Sequence, residues 1–187
     1  MTTDRFRLVQ DPFPAGDYSW FQLAFVVDDL EAAARRWVET YRVGPFYVLP
    51  ATGPRPARYR GEPSQLDFQL AVTQAGPVQI ELVHQRCHNP SVFRDVYDAG
   101  QAGVHHMATM TDDFDAALAH YRGLGYEPVT ELDSGMGRVA FVDTMSVLGL
   151  MTEVVERSDA FARSLAGTAR VCASWDGTDP IRQVGAR

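Results

Sequence analysis

The pattern of apolar and polar positions along this chain occurs twice. The segment QLAFVVDDLEAAARRW, from Gln22, lies without a gap over HMATMTDDFDAALAHY, from His106. The offset of 84 residues pairs Asp28 with Asp112, Asp29 with Asp113, Ala33 with Ala117 and Trp37 with Tyr121, the self-similarity of a duplicated unit. Each copy opens on a β-leaning apolar run, over 20–27 and 104–110, and then reaches an Asp-Asp pair suited to a helix N-cap and to the positive end of the helix dipole. Leu30, Ala33, Ala34, Trp37 and Val38 recur at helical spacing, as do Phe114, Ala117, Leu118 and Tyr121. Gly44-Pro45 in one copy, and Gly123 and Gly125 in the other, supply the stops. The period then returns to two, over 46–49, 66–73 and 78–84 in the first copy and over 128–132, 138–143 and 148–155 in the second.

Each copy therefore reads as β-α-β-β-β, over 20–85 and 104–157, with an N-terminal extension over 1–19. The stretch 50–63, with four prolines and two glycines, reads as a loop. Residues 86–103 read as a connection with a short helix near 91–99. The tail over 158–187 reads as a helix to residue 173 followed by coil. One such unit has an open sheet edge and an uncovered apolar face. The expected fold is therefore α+β, two tandem modules whose mixed sheet curves around a shared cavity, with a C-terminal helical tail.

Composition narrows the chemistry. With 45% hydrophobic residues the chain is an ordinary globular one. All 17 of its basic residues are arginine, against 24 acidic ones. The absence of lysine excludes Schiff-base chemistry and a P-loop, and the net charge of −7 argues against a nucleic-acid partner. Cys87 and Cys172 form no Cys-x-x-Cys pair, so neither a disulfide framework nor a thiolate zinc site is indicated. No apolar run approaches the ~18 residues of a spanning helix, and a cytoplasmic location away from membranes is expected.

The duplicated module with its Asp-Asp helix start resembles the vicinal oxygen chelate superfamily, which includes glyoxalase I, methylmalonyl-CoA epimerase, extradiol dioxygenases and bleomycin-resistance proteins. The resemblance spans 20–156. GVHHMATMTDDFDAALAHYRGLGYEPV is similar to the second module of the epimerase branch, and VQIELVHQ and GLMTEVVE resemble the modules' final strands. It implies two metal ligands from each module, Gln22 and Glu81 from the first, His106 and Glu153 from the second. It also implies a possible homodimer, since modules of this superfamily often pair across chains.

Three oxygen donors and one nitrogen suit Zn, Ni, Co, Mn or Fe(II). Two octahedral positions would remain for a small-molecule substrate with adjacent oxygens, and the metal would chelate the enolate left when a neighbouring proton departs. Gln22, Ala24 and Val26 share one strand face, as do His106, Ala108 and Met110, so a small Ala stands beside each first-strand ligand. His106, and not His105, matches Gln22 in the repeat; adjacent strand residues point to opposite faces, which assigns His105 a structural place. Glu153 is the favoured base, because Met151 and Val155 flank it and exclude water more than Gln79 does beside Glu81.

Other side chains carry weaker signals. His84 and His88 read as surface or connection residues, because Asn89-Pro90 breaks any helix that would pair them. Cys172 reads as packing. Tyr47, Tyr59, Phe46, Phe68 and Phe141 read as core or as pocket lining. Arg55, Arg58 and Arg60 read as a solvated loop or as the contact for an anionic substrate.

The leading functional reading is a metal-dependent isomerase, epimerase or lyase that removes a proton beside a carbonyl, with Glu153 or Glu81 as base. A metal-free protein that sequesters a small molecule is the alternative from another class. An extradiol-type dioxygenase is a third, although Glu81 stands where that branch would place a histidine.

Overall fold

The computed structural model describes residues 19–51 and 53–185; apart from Ser19, the N-terminal extension lies outside them. The first half contains β1 (Ser19–Val26), α1 (Leu30–Tyr41), β2 (Phe46–Val48), β3 (Arg55–Tyr59), β4 (Glu62–Leu66), β5 (Phe68–Ala75) and β6 (Val78–Gln85). The second contains β7 (Gly103–Thr111), α2 (Phe114–Gly123), β8 (Pro128–Asp133), β9 (Arg138–Val142), α3 (Met145–Leu148) and β10 (Met151–Glu156). The tail adds α4 (Asp159–Ala173) and β11 (Ile181–Gln183). Among the described residues no helix is long and apolar enough to cross a membrane.

All eleven strands among the described residues belong to one sheet in the order β11-β2-β5-β6-β1-β7-β10-β9-β8-β3-β4. The repeat is visible in it. β1 runs parallel to β6, which is antiparallel to β5; β7 runs parallel to β10, which is antiparallel to β9. The two halves join where β1 and β7 pair antiparallel. Asp29 and Asp113 cap the equivalent helices, accepting from the N–H groups of Ala32 and Ala116 at 2.9 Å each, as the Asp-Asp pairs predict.

The sheet curves because its covalent connections require it. β4 lies at one end of the strand order, and only Asp67 separates it from β5, near the other end. The sheet must curl until these strands meet. Asp67 is held there by the Arg86 N–H, which donates to its carbonyl at 2.8 Å. Helices α1 and α2 cover the convex side, α1 on Phe46, Ala71, Ile80 and Leu82, and α2 on Ala140, Val142 and Val154. The concave side carries its own apolar cluster, which includes Phe21, Val83, Phe93, Phe141 and Leu165.

Several sequence-based expectations are corrected. Residues 50–63 are not simply a loop: they contain most of the β3–β4 hairpin, closed at Arg60 and Gly61 with φ of 48° and 83°. β3 pairs with β8 of the other half, a long-range contact that local proline content does not disclose, and Pro63 is tolerated because β4 is an edge strand. Residues 91–99 form turns rather than a helix. The coil expected after the tail helix contains β11, parallel to β2, and the last strand of the second half begins at Met151 because α3 occupies Met145–Leu148. Cys172 is a packing residue on α4, its sulfur 3.4 Å from the backbone nitrogen of Gln74.

Candidate metal centre

The strand register brings three of the four predicted side chains, Glu81, His106 and Glu153, into one group and places Gln22 on the same face. Ala24 stands opposite Glu81 on β6 and opposite His106 on β7, and Ala108 stands opposite Gln22 on β1 and Glu153 on β10. Each alanine sits between two longer polar residues and leaves space over the joint of the halves. Ligand atoms of Glu81, His106 and Glu153 all lie within 4.8 Å of one another. His106 Nε2 is 3.4 Å from Glu81 Oε2 and 3.4 Å from Glu153 Oε2. His106 is fully buried, and the two carboxylates are 7% and 9% exposed, so burial does not distinguish Glu153 from Glu81.

Gln22 lies on the same concave face, where its Nε2 donates to Gln79 Oε1 at 2.7 Å. That bond commits the amide nitrogen and leaves Gln22 Oε1 buried without a hydrogen-bond partner among the described residues. His106 Nε2 makes no close hydrogen bond either, its nearest partners being the two carboxylates at 3.4 Å. An orphaned buried polar atom costs about 1–3 kcal/mol. An amide oxygen and two carboxylates, with an imidazole nitrogen that becomes a donor once its proton leaves, form a set that fits a divalent cation.

Charge explains the rest of the electrostatics. Burial pushes the His106 imidazole down, but the hydrogen-bonding and charge influence of Glu153 and Glu81 outweighs it and raises the imidazole to about 9. Burial raises the Glu81 carboxyl, with His106 opposing and the negative charge of Glu153 assisting the rise. Without a cation the three groups therefore compensate one another only in part, two acids sharing one imidazolium.

His105 departs from expectation. On β1 and β7 the register Ala24 to His106 is followed by Phe25 to Val104, leaving His105 as the extra residue of a β-bulge. The shift between Trp20 and Gln22 makes Phe21 the extra residue at the equivalent place in the first half. A bulge turns two successive side chains to one face, so Phe21 points inward with Gln22, and His105 with His106. His105 Nδ1 lies 2.8 Å from His106 Nδ1, and its Nε2 lies 3.0 Å from the Val92 carbonyl. Burial, and secondarily the charge of His106, lowers the His105 imidazole to about 3. Strand periodicity places His105 on the far face and sets Gln79 beside Glu81 without disclosing its bond to Gln22; for His105 the available signal is its alignment with Phe21 in the repeat.

Over the polar floor lies a cavity of about 210 Å³ whose lining includes Gln22, Glu81, Glu153, Phe68, Phe141 and Phe161. His106 lies beneath these residues. Phe161 and Leu165 come from α4, so the tail helix forms part of the cavity wall. Arg55 also reaches the cavity, with its guanidinium 5.7 Å from the Phe68 ring centroid. Arg60 instead pairs with Asp95 at 2.9 Å, and Arg58 donates to the Gly61 carbonyl. Tyr59 donates to Asp95 at 2.7 Å, and Phe46 is buried under α1 on the opposite side of the sheet. His84 Nδ1 lies 3.2 Å from the Val27 carbonyl, and the Glu81–His106–Glu153 group does not include it.

Comparison with known proteins bears on the family and the fold. A family model described as Glyoxalase/Bleomycin resistance protein/Dioxygenase superfamily matches residues 21–141. Methylmalonyl-CoA epimerase from Mycobacterium tuberculosis is similar in structure, with a TM-score of 0.53 at 17% identity over 80% of this chain and 95% of that one. A hypothetical protein from Bacillus halodurans C-125 gives 0.54 at 14% identity, over 76% and 96%. No curated protein matches significantly in sequence.

Proposed function

We propose that this chain, which belongs to the glyoxalase/bleomycin resistance protein/dioxygenase superfamily, is a metal-dependent isomerase, epimerase or lyase that removes a proton beside a carbonyl. The observation that carries the reading is the convergence of Glu81, His106 and Glu153 within 4.8 Å at a cavity that Gln22, with its unpartnered Oε1, also lines. Apolar packing has no use for such a group, and the unpartnered Gln22 oxygen works against stability until something binds.

Gln22, Glu81, His106 and Glu153 would hold one divalent cation. Bound there, the cation would supply a Lewis acid that holds two adjacent substrate oxygens and acidifies the neighbouring C–H. The protein does the remaining work. Phe93, Phe141, Phe161 and Leu165 wall the cavity and exclude water from the reacting carbon. Its volume of about 210 Å³ accommodates a compact, largely apolar substrate or the reactive end of a longer one. Glu153 takes the proton, with Phe141 opposite it on β9 and apolar residues on its own strand face. Glu81, the carboxylate of the first half, whose carboxyl is raised by burial, is the competing candidate for the base.

A second reading has its own support: His106 between two carboxylates at 3.4 Å is partly compensated without a cation, as in a metal-free protein that sequesters an apolar ligand. Elemental analysis separates the two. Protein purified without chelator, or reloaded and desalted, is expected to hold one divalent ion per chain, and the Glu81→Gln, Glu153→Gln double variant much less than one. Native-like folding with no retained metal, Zn, Ni, Co, Mn and Fe(II) all tested, would leave the sequestering reading.

A further inference from the structure

We propose that His105 is a positioning residue that fixes which nitrogen of His106 faces the two carboxylates; the proposal rests on the metal-centre reading above. Its basis is a directional chain of hydrogen bonds. The Val92 carbonyl can only accept, so His105 Nε2, 3.0 Å away, donates. His105 is packed against Phe93 and Phe141, with ring centroids 5.0 and 6.4 Å distant, and no carboxylate among the described residues forms an ion pair with it, so its ring is neutral. A neutral imidazole carries one proton. His105 Nδ1 is therefore an acceptor, and the 2.8 Å contact to His106 Nδ1 is a hydrogen bond donated by His106. With its Nδ1 proton committed, His106 can present a lone pair only from Nε2, the atom between Glu81 and Glu153.

The start of the chain is itself anchored. The Val92 N–H donates to Thr130 Oγ1 at 3.2 Å, and the adjacent Ser91 hydroxyl donates to Gln85 Oε1 at 2.6 Å. The connection between the halves thus delivers a fixed carbonyl under the site. The bulge is the device that lets His105 use it, since an unbroken strand would turn His105 to the convex face. Outer partners of this kind orient a ligating histidine and set its tautomer.

The test begins with ¹⁵N NMR of the metal-free full-length chain. His105 is expected as the Nε2–H tautomer, with a ¹⁵N–¹⁵N coupling across the bond between the two Nδ1 atoms. Zn(II) or Ni(II) affinity, measured by competition with a chromophoric chelator, is expected to fall roughly 10–100-fold in His105→Phe. His105→Asn puts an acceptor oxygen near the Nδ1 position and is expected to recover most of the loss, while His105→Gln reaches the Nε2 position instead and is not. A packing role would favour the larger Gln, so rescue by Asn alone is the distinguishing result. A His105 proton found on Nδ1, wild-type affinity in His105→Phe, or Asn no better than Gln overturns the proposal. If the wild-type chain binds neither ion, the metal reading fails, and the NMR result alone then decides whether His105 orients His106.

Discussion

Glu153→Gln is expected to lower exchange of a substrate's α-hydrogen with deuterated solvent by roughly 10²–10⁴-fold, the usual cost of losing a general base, while the protein stays folded and retains metal. The amide is nearly isosteric with the carboxylate, and its oxygen remains available as a ligand at the same strand position. What disappears is the group that can take the proton. The experiment uses a compound whose α-hydrogen the wild-type protein exchanges, found by screening hydroxy ketones, thioesters and oxo acids. Glu81→Gln is the necessary companion, because the two carboxylates are related by the repeat and are buried to nearly the same extent. If Glu153→Gln exchanges at the native rate and Glu81→Gln does not, the base belongs to the first half. If neither loses exchange, proton removal by either carboxylate is wrong even where a metal is bound.

The legible part of this molecule was the part repeated in the sequence. The first strand, the capped helix and the two last strands recur at matching places, and a repeat reports tertiary symmetry that single-residue propensity does not. What escaped depends on long-range pairing or local irregularity. Nothing within 50–63 announces that β3 will pair with β8, because the partner lies in the other half. The bulges at Phe21 and His105 break the period of two on which strand faces are assigned, and so a histidine expected on the far face arrived beside His106. Gln79 is another case. Its role in committing the Gln22 amide follows from a 2.7 Å contact across a parallel pair, and strand order is needed to see it. For α4, helical composition shows where the helix runs, but not that Phe161 and Leu165 will face the cavity.

In the metal-free protein, stability is expected to fall by roughly 3 kcal/mol as pH rises from 6.5 to 9.5. The sign follows from His106. Its folded-state value, raised to about 9, exceeds the unfolded value near 6.5, so the native state holds the proton more tightly. That stabilisation is complete below about pH 6.5 and is lost as pH rises through about 9. Raised Glu81 acts in the same direction from lower pH. His105, lowered to about 3, acts in the opposite sense, but it offsets only about a few tenths of a kcal/mol at the low end of this window, where the unfolded-state imidazole is still half protonated. The depressed Glu156 carboxyl, held by Arg138, is ionised in both folded and unfolded states throughout this window and adds no slope there. Urea denaturation at several pH values measures the fall, and His106→Gln, which cannot hold the proton, should lose the pH dependence due to this group. A flat wild-type profile, or the same slope in the variant, would sink the account. Metal loading should reverse the trend: Nε2 must lose its proton before it can ligate, so apparent affinity should rise about tenfold per pH unit below about 9 from this group alone. A site built only to hold an imidazolium between two acids would show the first slope without the second. The pair of measurements therefore tests whether the buried charges are arranged around a cation or only around one another.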